Sequence, residues 1–285
     1  MQTGSDAPPR DFAGLRDLLL ARKAALPKRL AQVAAFAMER PDEIAFGTAA
    51  GLAERAAVQP STLIRFAQSL GYRGFSDLQS VFRDRLRDRP ASYADRLESL
   101  RAHRGPAADP AGLLAGFCDA AQRSVTALRD RIDPGTLSAA TGLLAGAETI
   151  YLVAQRRAYP VAASVNYAFG NLGVKNVLLG SAAGTDAQTL SFATPRDAAL
   201  AISFTPYAAG TLQLTHQAAE RGVPVIAITD NPFSPLVPLA RHWFEVVEAD
   251  FEGFRSLSAT MALAMGLAVA VAQARRAENG ISAPP

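Results

Sequence analysis

TAAGLAERAAVQPSTLIRFAQSL, residues 48–70, reads as two short helices joined by a tight turn, and the rest of the chain is organised around it. In the first half Leu52, Ala53 and Ala56 place apolar residues at i, i+1 and i+4, and the small Ala53 lets a second helix approach closely at a steep angle. Ala57-Val58-Gln59 makes the turn, with Val58 filling the gap between the helices. Pro60 then stands at a first helical position, where no amide hydrogen is needed. Leu63, Phe66, Ala67 and Leu70 recur at i, i+3, i+4 and i+7, a stripe that must face the first helix and the core. The opposite face carries Ser61, Thr62, Arg65 and Gln68, all able to donate to base edges or phosphates and none acidic. The same spacing also fits any two-helix corner of an all-α domain. Two positions are costly for the turn. A left-handed alanine at 57 costs roughly 1 kcal/mol, and Gln59 stands where Ser, Thr, Asp or Asn would cap better by another ~1 kcal/mol.

Working outward, Phe12, Leu15, Leu18 and Leu19, then Leu26, Leu30, Val33, Ala34 and Ala37, have helical spacing, with Pro27 opening the second of these support helices. Residues 1–10 are polar and Pro-containing and are expected to fray. Pro41-Asp42-Glu43 breaks the pattern, and Ile44 and Phe46 lead into the two-helix stretch. Beyond Leu70, the run Gly71-Tyr72-Arg73-Gly74-Phe75-Ser76 makes a turn, and Ser76 is expected to cap a helix from Asp77 to about Arg87. Arg83, Arg85, Arg87 and Arg89 either touch phosphates or form a solvated face, since Asp84 and Asp88 interrupt them.

The chain has 285 residues, 49% apolar and 19% charged, which is ordinary globular material and long enough for two domains. One cysteine, Cys118, excludes a disulfide framework or a cysteine-rich zinc site and fits a reducing compartment. The first forty residues hold Arg10, Arg16, Arg22, Lys23, Lys28 and Arg29 and no long apolar run, so no secretory signal and a cytoplasmic location are expected. Net charge is only +3, but residues 1–104 carry 17 Lys+Arg against 12 Asp+Glu while residues 105–285 carry 12 against 14. The halves differ in sign, which favours a nucleic-acid-facing first half.

From Pro90 to Pro110 the period is lost, with Gly105-Pro106 and Asp109-Pro110, and the domain linker is expected there. Helices follow at about 111–129 and 137–145. The grammar then changes: strands at 149–153, 174–179, 197–203, 223–229 and 243–247 alternate with helices at 161–172 and 208–221. Such alternation predicts a parallel sheet covered on both faces, with ligands beyond the carboxyl ends of its strands. Leu257 to Gln273 is nearly long and apolar enough to span a bilayer, but it is alanine-rich and contains Ser258 and Thr260. The expectation is a buried helix at a subunit interface rather than a membrane span.

In LAERAAVQPSTLIRFAQSLGYRGFSDLQ, residues 52–79, the positions Val58, Thr62, Arg65-Phe66, Leu70-Gly71 and Gly74-Phe75 carry the pattern of a known family. The first half resembles the RpiR family of bacterial transcription regulators, which join an N-terminal helix-turn-helix domain to a sugar isomerase (SIS) domain. That family usually has Gly and Ser where this chain has Ala57 and Gln59. The segment DAALAISFTPYAAGTLQLTHQAAERGVPVIAITDNPFSPL, residues 197–236, is similar to the SIS domain, whose members bind phosphosugars between strand-end loops. The resemblance implies an all-α helix-turn-helix domain over 1–89, a linker over 90–110, and over 111–278 an α/β SIS domain with a five-stranded parallel sheet of flavodoxin-like order. It implies DNA contacts from Gln59, Ser61, Thr62, Arg65, Gln68, Tyr72 and Arg73.

By the same match Ser203, Thr205 and Tyr207, with Thr211 after them, lie at the phosphate loop, and hydroxyls with free amides at a helix N-terminus are a ready anion site. The first strand-end loop departs from the family's glycine-rich turn and reads Gln155-Arg156-Arg157-Ala158-Tyr159. Two arginines there suit a phosphate or carboxylate, or else serve as surface or oligomer contacts. The expected partners are double-stranded operator DNA, a small anionic metabolite such as a sugar phosphate, and further copies of the chain as a homodimer or homotetramer. No cofactor, metal or membrane is expected.

The alternative is a SIS-type sugar-phosphate isomerase with a helical N-terminal extension, using His216 and Glu220, or His242 and Glu245, as base. A third possibility is a vestigial pocket, or one for a non-phosphorylated acid.

Overall fold

The computed structural model describes residues 7–87, 93–104, 109–180 and 184–278. The chain divides into two compact units, residues 1–108 and 109–285.

The first unit is all helical: α1 (Phe12–Arg22), α2 (Lys28–Glu39), α3 (Pro41–Phe46), α4 (Ala49–Arg55), α5 (Pro60–Ser69), α6 (Phe75–Arg87) and α7 (Tyr93–Arg104). Local chemistry sets the starts. The Asp11 carboxylate accepts the Gly14 amide at 2.8 Å to cap α1, and the Thr48 hydroxyl accepts the Gly51 amide at 3.2 Å to cap α4. Pro41 opens α3 and Pro60 opens α5 as first-turn prolines. One core forms from Leu15, Leu19, Val33, Ala34, Ile44, Leu52, Leu63, Phe66, Leu78 and Phe82, all buried. Gly47 lets α3 turn directly into α4. A Cβ there would fall 2.6 Å from the Leu52 side chain and 2.8 Å from the Glu43 carbonyl.

Four expectations need correction in this unit. Pro41-Asp42-Glu43 does not break helical structure but begins α3, because proline needs no amide partner at the first position and Asp42 and Glu43 suit the positive end of the helix dipole. Ser76 is inside α6, which opens at Phe75; the nearby Asp77 carboxylate accepts the Arg73 amide at 3.0 Å. Pro8 to Arg10 are engaged rather than frayed. Tyr72 Oη donates to the Pro9 carbonyl at 2.5 Å, Arg10 pairs with Asp77 at 2.7 Å, and the Pro8 ring lies over Gly71. Finally, α7 lies inside the expected 90–110 linker: Tyr93–Arg104 forms a helix with Leu100 buried. Residues 88–92 and 105–108, with Arg89 among them, lie outside the described residues.

In the second unit the long α8 (Pro110–Arg131) and α9 (Pro134–Ala145) lead into β1 (Ile150–Ala154), α10 (Tyr159–Asn171), β2 (Asn176–Leu179), α11 (Asp186–Leu190), β3 (Ala198–Ile202), α12 (Ala209–Glu220), β4 (Val225–Thr229) and β5 (His242–Glu245). A small hairpin, β6 (Asp250–Phe251) with β7 (Phe254–Arg255), precedes α13 (Ser258–Glu278). The five main strands are all parallel in the order β2-β1-β3-β4-β5, the flavodoxin-like order expected.

Because strand side chains alternate, each buried strand feeds two cores. Ile150, Leu152, Leu200, Ile202, Ile226 and Ile228 meet α9, α10 and α13 on one face. Tyr151, Val153, Ala199, Ala201, Val225 and Ala227 meet α11, α12 and Leu236 on the other. The short α11 and the hairpin were not anticipated from the sequence, since neither is long enough to show a period.

By length and composition α13 is apolar enough to cross a membrane. Its stripe of Thr260, Ala264, Leu267, Ala268 and Val271 is buried in the sheet-facing core, however, and the Arg275 guanidinium donates to the carbonyls of Leu144, Ala145 and Ala147 at the end of α9. Its start is capped by a buried carboxylate from another segment. Glu248 accepts the Thr260 amide and hydroxyl, each at 2.8 Å, and the Ala259 amide at 3.4 Å.

Candidate functional site

The helical unit presents α5 so that its apolar stripe is consumed by the core and its other side is open. Leu63, Phe66 and Ala67 are buried, while Gln59, Ser61, Arg65 and Gln68 are exposed and Thr62 is half-buried. None of these polar side chains has a hydrogen-bond partner among the described residues, so their donors remain available.

The turn before them is held from outside. Ala57 sits at φ 52°, the left-handed position the sequence requires of it, while Gln32 on α2 donates to the Ala56 carbonyl at 2.8 Å. Gln59 is the N-cap of α5 and contributes no side-chain bond, as its chemistry predicts. Arg73 is exposed beside this face, its Nε 3.6 Å from Asp77. Tyr72 departs from expectation. It is 2% exposed, and burial pushes its hydroxyl up to about 12 against the opposing pull of Arg10. Its role is to tie down Pro9, and it is not on the open face.

In the α/β unit the strand order places a topological switch between β1 and β3, because the chain leaves β1 toward β2 on one side and β3 toward β4 on the other. The loops after those two strands hold most of the expected ligand residues. After β1, Gln155 leads to Arg156, which is exposed at φ 53°, and to Arg157, whose guanidinium lies 5.3 Å over the Phe204 ring from the β3 loop. Tyr159 begins α10 and is half-buried. Gln155 reaches the start of α12, and a Cβ on Gly210 would fall 2.3 Å from its Oε1, so its amide lies directly against that glycine. Thr211, in the first turn of α12, is fully buried with an Oγ1 that has no hydrogen-bond partner among the described residues. Ser203 is buried at the end of β3, and its Oγ accepts the Ala208 amide at 3.3 Å.

The sequence reading missed one participant. Asp230, just past β4, accepts the Thr205 amide at 2.9 Å with Oδ2 and the Tyr207 hydroxyl at 2.9 Å with Oδ1, while Asn231 donates to Tyr207 Oη at 2.7 Å. Two donors of the β3 loop are thus already engaged by an internal carboxylate. Burial, and next the charge of Asp230, push the Tyr207 hydroxyl far above the ordinary tyrosine range. The signal available in the sequence was position, since Asp230 follows the strand adjacent to β3 at its carboxyl end.

Of the two pairs offered for isomerase chemistry, His242 and Glu245 occupy the two ends of β5, both half-buried. His216 and Glu220 make a 3.3 Å contact on the surface of α12, both exposed.

The helix-turn-helix domain model of the rpiR family matches residues 14–88, and the SIS domain model matches residues 143–270. The bifunctional protein glk of Paraburkholderia xenovorans is 27% identical over 231 residues, which is 81% of this chain and 34% of that protein. The chain therefore spans about a third of the length of that curated relative. Among solved structures, the sugar isomerase domain of an RpiR transcription factor from Sphaerobacter thermophilus aligns with TM-score 0.54 and 22% identity over 59% of this chain and 98% of that one. The Vibrio vulnificus NanR protein, complexed with ManNAc-6P, aligns with TM-score 0.51 and 19% identity over 92% of each chain. These two likenesses concern the fold.

Proposed function

Because this chain belongs to the RpiR family, with its helix-turn-helix domain followed by a SIS domain, we propose that it is a DNA-binding transcription regulator whose SIS domain senses a phosphosugar or a related small anion. The observation that carries the reading is the open side of α5. Ser61, Arg65 and Gln68 stand exposed, without hydrogen-bond partners or an acidic neighbour on that face among the described residues, on a helix whose other side is fully used by the core. In this reading Gln59, Ser61, Thr62, Arg65 and Gln68 face the major groove, and Arg73 meets the backbone. The SIS unit pairs copies of the chain so that two recognition helices address a two-fold operator, in the cytoplasm.

Arg156, Arg157, Gln155 and the start of α12 supply charge and donors for the anion at the β1/β3 switch, with Tyr159, Ser203, Thr205, Tyr207 and Thr211 around it. That NanR is complexed with ManNAc-6P supports a phosphosugar as the ligand class. The protein acts by binding and not by isomerisation. The exposed His216–Glu220 contact is a solvated helix surface and offers no base beside the ligand loops.

Gel shifts on the DNA upstream of neighbouring genes test the first part. Arg65→Ala loses roughly 1–3 kcal/mol of binding, whereas His216→Ala, on the exposed surface of α12 in the other unit, leaves the shift in place. An unchanged shift for Arg65→Ala removes Arg65 from the interface. Incubating the purified protein with sugar phosphates tests the second part: thermal stabilisation without turnover is expected, and turnover overturns the regulator reading in favour of the isomerase.

A further inference from the structure

On the open side of α5 stands one side chain that hydrogen bonding leaves unused. Ile64 is 45% exposed, in a row with Ser61, Arg65 and Gln68 that is spaced i, i+3, i+4 and i+7 along the helix and exposed throughout. Residues so spaced share one face. The core does not need Ile64, since its neighbours Leu63 and Phe66 already fill the space between α5 and the other helices. A large apolar group held in water among donors has its best chemical complement in a major groove in the C5 methyl of thymine, the one methyl group that the base edges project there. Isoleucine is also nearly fixed at χ1 within a helix, so it loses little rotamer freedom when it makes such a contact.

We propose that Ile64 is a specificity-determining residue that reads a thymine methyl. The bound sequence then carries a T·A pair at one position per half-site, next to the positions read by Ser61, Arg65 and Gln68. This rests on the DNA-binding reading of α5 and adds to it the identity of one base and the group that selects it.

The test uses the full-length protein. Random-sequence duplexes are selected for binding, and each thymine of the enriched motif is then replaced singly by deoxyuridine, which removes only the methyl. Affinities are measured by fluorescence anisotropy for the wild type, Ile64→Ala and Ile64→Val. At one thymine per half-site the wild type is expected to lose roughly threefold to fivefold on T→U, the worth of one buried methyl. Ile64→Ala binds both duplexes alike whatever its absolute affinity, and Ile64→Val keeps most of the preference. Discrimination that persists in Ile64→Ala, or a motif indifferent to every T→U exchange, overturns the Ile64 assignment alone. A selection that enriches no motif overturns the DNA-binding reading and this assignment with it.

Discussion

Ala57→Gly is expected to stabilise the helical unit, which is unusual for a glycine introduced beside two helices. Ala57 holds φ 52°, and a residue with a Cβ costs ~1–2 kcal/mol in that left-handed region. Glycine removes that cost but gives the unfolded chain more freedom, worth ~0.4–1 kcal/mol against the fold. Little else changes. Ala57 is exposed, so its methyl contributes no core packing, and the bonds that hold the turn end on backbone atoms: Ala57 N to Glu54 O at 3.0 Å, Val58 N to Ala53 O at 2.9 Å and Gln32 Nε2 to the Ala56 carbonyl at 2.8 Å.

The difference of the two effects is a net gain of about 0.5–1 kcal/mol. Ala57→Val should move the other way by more than ~1 kcal/mol, since a β-branched residue fits positive φ worst. Amide hydrogen exchange of the full-length chain reads the effect at α4 and α5. The single tryptophan, Trp243, lies on β5 in the other unit, so its fluorescence-monitored urea midpoint is an internal control that should not move. Faster exchange in the glycine variant, or a valine variant as protected as wild type, would refute the reasoning.

Glu248→Ala should lower the Trp243-monitored midpoint by the equivalent of ~2–3 kcal/mol, because the first-turn amides of α13 then lose a buried charged acceptor; an unchanged midpoint would show that solvent replaces it. The folded state holds the Tyr207 proton more tightly than the unfolded chain does, so stability should be intact below pH ~10, the ordinary tyrosine value, and fall as pH rises above it. Tyr207→Phe should flatten that alkaline slope, and an equal slope in the variant counts against the assignment. Asp230→Asn should tighten sugar-phosphate binding roughly tenfold in thermal-shift titrations, since the amide no longer repels an incoming anion from the Thr205 amide; weaker binding would mean that the carboxylate organises the loop for the ligand.

What the sequence discloses depends on how local the cause is. The stripe Leu63, Phe66, Ala67 is repeated by the helix itself, so α5 and its open face are legible directly, and so is the left-handed Ala57, because the turn length demands it. Strands β1, β3 and β4 are legible for a similar reason, being continuous apolar runs buried on both faces. Tyr72 was misplaced because whether an aromatic next to a helix end faces out or in is decided by Pro9, more than sixty residues earlier. The same holds for Asp230. Its contacts with Thr205 and Tyr207 arise only once β3 and β4 lie side by side, and no periodicity encodes that. Helix α7 escaped notice since its mixed charges give no apolar stripe to count.

The segment Pro8 to Arg10 works as a splint across the chain just past α5, pinned through Tyr72, Asp77 and Gly71. Trimming the protein back to the first helix, a common step in preparing domains for binding assays, would remove that brace and free the far end of the helix meant to touch DNA. A purification handle fused ahead of residue 7 would pull on the same brace. Affinities measured with shortened or tagged versions therefore report on the splint as much as on Arg65, and an untagged full-length protein is the fair reference.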